Sequence, residues 1–227
     1  REVHRLLKQA PNEPSVHVAA AYVYRLCGVY DRALGEWDTF LHLSPADIVL
    51  ASYNRARIYL YQKRCDEATA EIKGGLAVEP DHPLLRVYGA MVDYVRGEPQ
   101  KAAAVLEDVL GRFPDLYSYK LFLAFCYLAL GDAERALALT DQTVVASARA
   151  DQDSAYWLAS IYAATGRSED AIEWLKLAVS MGNENYPWFE TDRMWDLLRS
   201  DSRYREIMED LKSRWEKLTA SPSESAQ

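Results

Sequence analysis

The sequence predicts an all-α protein, a right-handed α-solenoid of helical hairpins closed by a C-terminal capping helix. Three observations carry this. Several residue columns recur at one period, with Ala21, Ala56, Ala90, Ala124 and Ala159 spaced 35, 34, 34 and 35 apart. A second column of small residues, Ala33, Ala68, Ala102, Ala136 and Ala171, keeps the same four intervals. With only 10 Gly and 9 Pro in 227 residues and no long Val/Ile/Thr run, strands are disfavoured.

Each unit reads as two helices around a tight break. In Lys120–Val145, Leu121, Ala124, Tyr127 and Leu128 lie on one helix face. Ala136, Leu137, Leu139 and Val144 lie on the face of a second helix. Gly131 marks the break and aligns with Gly28, Lys63, Gly97 and Gly166. The two alanine columns sit where the paired helices cross, so their backbones can approach closely. The bulky column Tyr24, Tyr59, Asp93, Tyr127 and Tyr162 fills the wedge beside them. Pro11, Pro45, Pro80 and Pro114 end helices, with Ala148 in the fifth place.

In chain order, residues 1–13 read as the second helix of a truncated repeat, with Val3, Leu6 and Leu7 on its packing face. That reading implies a piece of a longer protein with an open N-terminal face. Repeats follow at 14–48, 49–82, 83–116, 117–151 and 152–185. Residues 186–218 form an aromatic loop, Tyr186-Pro187-Trp188-Phe189, and capping helices whose stripe is Tyr204, Met208 (or Ile207), Leu211 and Trp215. Residues 219–227 read as a disordered tail.

These columns resemble the tetratricopeptide family, helix-turn-helix units of about 34 residues. Ala21, Gly28, Tyr30, Ala33, Trp37, Phe40 and Pro45 fit its pattern in the first repeat. Ala124, Tyr127, Gly131 and Ala136 fit it in the fourth. The second repeat departs at Lys63 and Cys65, and the third at Asp93 and Pro99. The resemblance implies a protein or peptide partner held by the concave surface that the first helices line. It also argues against one known use. At the positions where co-chaperones of this family clamp a carboxylate stand Val18, Tyr22, Asn54, Leu84 and Tyr88, of which only Asn54 suits. The stretch Trp195–Tyr204 is similar to a tail that follows such repeats in bacterial multidomain regulators, including Ser/Thr kinases and adenylate cyclases. That likeness implies a signalling context, with Leu197 and Ser202 standing where the tail usually has prolines.

The composition points away from other functions. A net charge of −8 repels phosphate backbones. No apolar run approaches the ~18 residues of a membrane helix. The three cysteines, odd in number and without a CxxC pair, read as buried thiols of a reducing, cytoplasmic compartment. The four histidines are scattered, and no phosphate loop, nucleophile elbow or paired acid motif occurs. The chain is therefore read as non-catalytic, without metal or cofactor. The candidate site is the inner face of the first helices: Tyr22, Arg25, Tyr53, Arg57, Met91, Tyr94, Leu121, Phe125, Leu128 and Tyr156. Such a stripe suits a peptide with apolar anchors and one acidic group. The same rings could instead pack first helix against first helix. Arg25 and Arg57, by contrast, need water or a partner.

Overall fold

A computed structural model describes residues 2–220. Helix α1 (Glu2–Gln9) precedes four hairpins of two helices each. These are α2 (Pro14–Leu26) with α3 (Tyr30–Leu43), α4 (Ile48–Tyr61) with α5 (Cys65–Val78), α6 (Pro83–Val95) with α7 (Pro99–Arg112), and, after a fourth and irregular unit, α11 (Gln152–Ala164) with α12 (Ser168–Ser180). The irregular unit pairs α8 (Lys120–Ala129) with two short helices, α9 (Ala133–Ala138) and α10 (Gln142–Ala148). No strand occurs among the described residues, and the array is an all-α solenoid.

The alanine columns explain the hairpins. All ten crossing alanines are essentially inaccessible, from Ala21 and Ala33 to Ala159 and Ala171. Each break is closed by the same backbone bond, the amide just before the second helix reaching back into the first. Arg64 donates to Tyr59 O at 2.9 Å and Asp132 to Tyr127 O at 2.9 Å. The residue before that amide has positive φ in every repeat: Gly28, Lys63, Gly97, Gly131 and Gly166. The tyrosine column is buried too, and arginines cover its rings from outside. Arg135 lies 3.9 Å above Tyr127 and Arg167 lies 4.3 Å above Tyr162.

Four expectations are corrected. The second helix of the fourth repeat, read as one stretch through Leu139 and Val144, is broken. Thr140 Oγ1 donates to Leu137 O, and Asp141 starts α10 by accepting from the Val144 amide at 3.0 Å. The aromatic segment is a helix, α13 (Tyr186–Thr191), not a loop. Pro187 sets φ in its first turn, and Asn185 O accepts from Phe189 N at 3.0 Å. On α1, Val3 and Leu7 pack against the first hairpin while Leu6 is 37% exposed. The last helix, α14 (Ser202–Ala220), continues past residue 218, where Thr219 Oγ1 donates back to Trp215 O. The remainder of the expected tail, 221–227, lies outside the described residues.

The solenoid closes on itself. Apolar packing divides into a small cluster between repeat 1 and the adjoining face of α4 (around Trp37, Phe40 and Ile58) and a large one through the rest. Polar contacts join the two across the ring. Glu184 N donates to Leu26 O at 2.9 Å, Tyr30 to Asn185 Oδ1 at 2.6 Å, and Trp215 Nε1 to Gly28 O at 3.2 Å. This closure determines what is left of the concave face.

Candidate functional site

Three charges lie at the centre of the concavity. Asp153, in the first turn of α11, accepts from Arg25 Nη1 and Nη2 at 3.0 Å each in a bidentate pair. Arg57 Nη2 lies 2.8 Å from Asp153 Oδ1, an ion pair without hydrogen-bond alignment, and Arg57 Nε donates to Tyr61 at 2.8 Å. Arg25, Arg57 and Asp153 are 2%, 6% and 2% exposed, so neither arginine is open to a partner. Burial alone would raise the Asp153 carboxyl. The two guanidiniums overcome that and hold it at about 2. The expectation that Arg25 and Arg57 await an external acidic group is therefore corrected: the chain supplies that group itself, from repeat 5.

The remaining candidates separate by depth. Tyr156 is buried, stacked on Phe189 with centroids 3.9 Å apart, and its hydroxyl donates to Asp192 Oδ2 at 2.8 Å. Trp195 Nε1 donates to the Tyr156 oxygen at 3.1 Å and to Ser160 Oγ at 3.2 Å. Asp192 has no ion-pair partner there; burial raises its carboxyl, against the Met194 amide and the Tyr156 and Ser160 hydroxyls. Leu121 is fully buried, and Met91 and Phe125 nearly so. Tyr22 and Tyr53 stay half-buried at one end of the concavity, with Arg25 stacked 4.4 Å from the Tyr22 ring and Tyr53 stacked on His82. Asn54, the sole clamp-like residue, turns its amide to Leu50 O at 2.8 Å. Tyr94 and Leu128 are half-exposed at the other end.

There the concavity stays open. A cleft of about 750 Å³ runs between the C-terminal ends of α4, α6, α8 and α11 and the segment 188–197. Lys63, Tyr94, Leu128, Arg193 and Leu197 line it. Beneath it lies a cavity of about 70 Å³, walled mainly by Leu60, Met91, Phe122, Phe125 and Trp157. Tyr94, Val95, Trp188, Asp192 and Met194 line both spaces, so cleft and cavity share one wall. The sequence reading missed Lys63, Trp188 and Leu197. Lys63 had a signal, a lysine in a glycine column; the other two come from a segment read as loop and cap.

Two family models described as tetratricopeptide repeat match residues 96–146 and 127–187. Together these matches span residues 96–187. The hairpins before residue 96 repeat the same crossing alanines, positive-φ break and backbone closure. Among solved structures, a tetratricopeptide repeat protein from Parabacteroides merdae is 20% identical, with 84% of this chain and 73% of that one covered and a TM-score of 0.61. A thermophilic tetratricopeptide protein of Thermus thermophilus is 19% identical, with 91% and 99% covered and a TM-score of 0.58. Both likenesses concern the fold. No curated protein matches the chain. Tetratricopeptide repeats are in general a non-catalytic, protein-interaction fold. Among the described residues no group of three His, Cys, Asp or Glu is placed to hold a metal, and no helix is long and apolar enough to cross a membrane.

Proposed function

We propose that the chain is a non-catalytic interaction module that captures a peptide or short helix in the cleft between the first helices and segment 188–197. The observation that carries the reading is the division of the concave face. One part is filled by the chain's own Asp153, Phe189 and Trp195, and one part is an open recess lined by apolar side chains and by charges of both signs. Of the ten inner residues, Tyr94 and Leu128 meet the partner directly, while Met91, Phe125 and Tyr156 form the cavity wall behind them. Arg25, Arg57 and Leu121 position that wall. Tyr22 and Tyr53 extend the contact surface at the far end. A net charge of −8 supports a protein partner over nucleic acid. The likeness of Trp195–Tyr204 to the tails of bacterial regulators supports a role within a cytoplasmic signalling protein. A second reading, self-association through α1, is favoured by the exposed Leu6.

The test is selection of binders from a displayed peptide library, with two variants as readout. Leu197 is 65% exposed at the cleft and Val78 is 56% exposed at the end of α5, outside it. Both tolerate aspartate without loss of a buried contact. Selected peptides should lose binding to Leu197→Asp and keep it with Val78→Asp; equal retention by both variants would remove the cleft as the site.

A further inference from the structure

Lys63 holds a conformation that its side chain does not favour. It is the single non-glycine residue with positive φ among those described, at +58°. The other four repeats place glycine there, at +69° to +85°. An L side chain in the left-handed region crowds its own backbone, and lysine is not among the residues (Asn, Asp) that tolerate it best. The turn itself does not ask for lysine, since its closing bond matches that of the glycine repeats: Arg64 N to Tyr59 O at 2.9 Å, Val29 N to Tyr24 O at 2.8 Å. Nor does packing ask for it. The side chain is exposed, and no carboxylate lies within ion-pair distance of it among the described residues. Backbone strain kept without structural return is a mark of a functional position.

The position is the mouth of the cleft. The carboxylates lining it are engaged by groups other than Lys63. Asp196 is held by Arg199 at 2.9 Å and Arg193 at 3.6 Å. Asp192 is buried and accepts from Tyr156 and the Met194 amide. Among the described residues Lys63 is thus a cation of the cleft with no carboxylate within ion-pair distance, while Arg193, the other, shares Asp196 with Arg199. Leu197 lies 65% exposed on the same lining, and the apolar cavity sits behind Tyr94 and Met194. The cavity, about 70 Å³, is several times the ~10–15 Å³ that a water needs and is walled by apolar side chains, which is room for a small aliphatic side chain.

We propose, building on the cleft reading above, that the partner is an acidic peptide segment bearing one aliphatic anchor. The anchor enters the cavity past Tyr94 and Met194, and a neighbouring carboxylate pairs with Lys63. The arginines that the sequence offered for this carboxylate are buried and already share Asp153, which leaves the role to Lys63.

The experiment uses the whole chain and two pooled, fluorescein-labelled Gly/Ser peptide sets, each peptide carrying one leucine. In one set the flanking charges are glutamates, in the other lysines. Binding is read by fluorescence anisotropy at low and high salt, and urea midpoints are measured in parallel. The acidic set should bind and the basic set should not. Replacing leucine by serine in the peptides should abolish binding. Lys63→Gly should weaken the acidic set about three- to five-fold at low salt, the worth of one exposed ion pair, with the gap narrowing as salt rises. The same variant should unfold at an equal or higher urea concentration, because glycine relieves the turn. Equal binding of both sets, or of the acidic set to wild type and Lys63→Gly, overturns the proposal and leaves the cleft reading standing. Absence of binding by either set also overturns it, and the cleft reading then falls only if Leu197→Asp spares the library-selected peptides.

Discussion

Removing the Asp153 carboxylate should unfold this protein more readily than any surface charge substitution. In Asp153→Asn, the guanidiniums of Arg25 and Arg57 remain 2% and 6% exposed and lose their shared anion. Breaking a buried pair from one side costs about 3–5 kcal/mol, because the remaining charge stays desolvated. An independent route gives a smaller figure for a smaller perturbation. Protonating the carboxyl, whose value falls from an ordinary ~3.9 to about 2, costs roughly 2–3 kcal/mol at ~1.4 per unit. The two bracket the expected loss, with the substitution at the upper end. For a chain of this length it lowers Tm by about 6–20 °C. The assay is thermal and urea unfolding followed by far-UV circular dichroism and tryptophan fluorescence. The control is Asp66→Asn, which removes a 94% exposed partner of Arg96 and should cost less than ~1 kcal/mol.

The pH dependence follows with its sign. The folded Asp153 value is depressed, so its contribution is complete above the unfolded value near ~4 and is lost as pH falls through about 2. Wild type should therefore lose stability relative to Asp153→Asn on acidification below ~4, and the two should converge. Because the carboxylate ties α2 and α4 to α11, hydrogen exchange in the variant should quicken in repeats 1, 2 and 5 together. A variant within ~1 kcal/mol of wild type at neutral pH, or exchange changes confined to repeat 5, would refute the argument.

Two further predictions concern the ring and the N-terminal face. Gly28→Ala and Gly131→Ala impose the same left-handed strain, ~1–2 kcal/mol, but a Cβ at Gly28 would meet Pro187 Cδ at 2.5 Å while Gly131 has open space. Gly28→Ala should cost a further ~1–3 kcal/mol of overpacking, seen as a lower urea midpoint than that of Gly131→Ala; equal midpoints would mean that the closure contact yields freely. Leu6→Asp alters a residue 37% exposed on α1, and sedimentation velocity at high concentration should show a smaller species than wild type if α1 mediates self-association. Unchanged sedimentation removes that reading.

How much of this was legible in the sequence depends on the range over which each feature is encoded. The hairpins were legible because they are local: Ala124, Gly131 and Ala136 specify one crossing, and the period repeats it. The broken second helix of repeat 4 is also local, but the stripe Ala136, Leu137, Leu139 and Val144 masked the competing cap of Asp141. Ring closure is encoded over 128 residues, between Arg25 and Asp153, and no column of the repeat contains it. A signal for it did exist. Stepping three residues back from Tyr156 along the inner face of α11 reaches Asp153, so the inner stripe held two arginines at one end and one carboxylate at the other. In a low-dielectric concavity that arrangement predicts pairing before it predicts a ligand.

That inversion changes which residues can carry function. Charges within the inner stripe need pairing for the array to fold, and Arg25 and Arg57 meet that need by sharing Asp153. Residues on the rim are under no such demand, and there the chain departs from its own pattern in a way that folding does not reward. Lys63 replaces the glycine that serves four equivalent turns, and Leu197 exposes an apolar side chain on the same cleft. Neither is explained by hairpin packing, closure or capping. The departures from periodicity are thus better guides to the site than the periodic inner stripe, because the stripe is already accounted for by the contacts that close the ring.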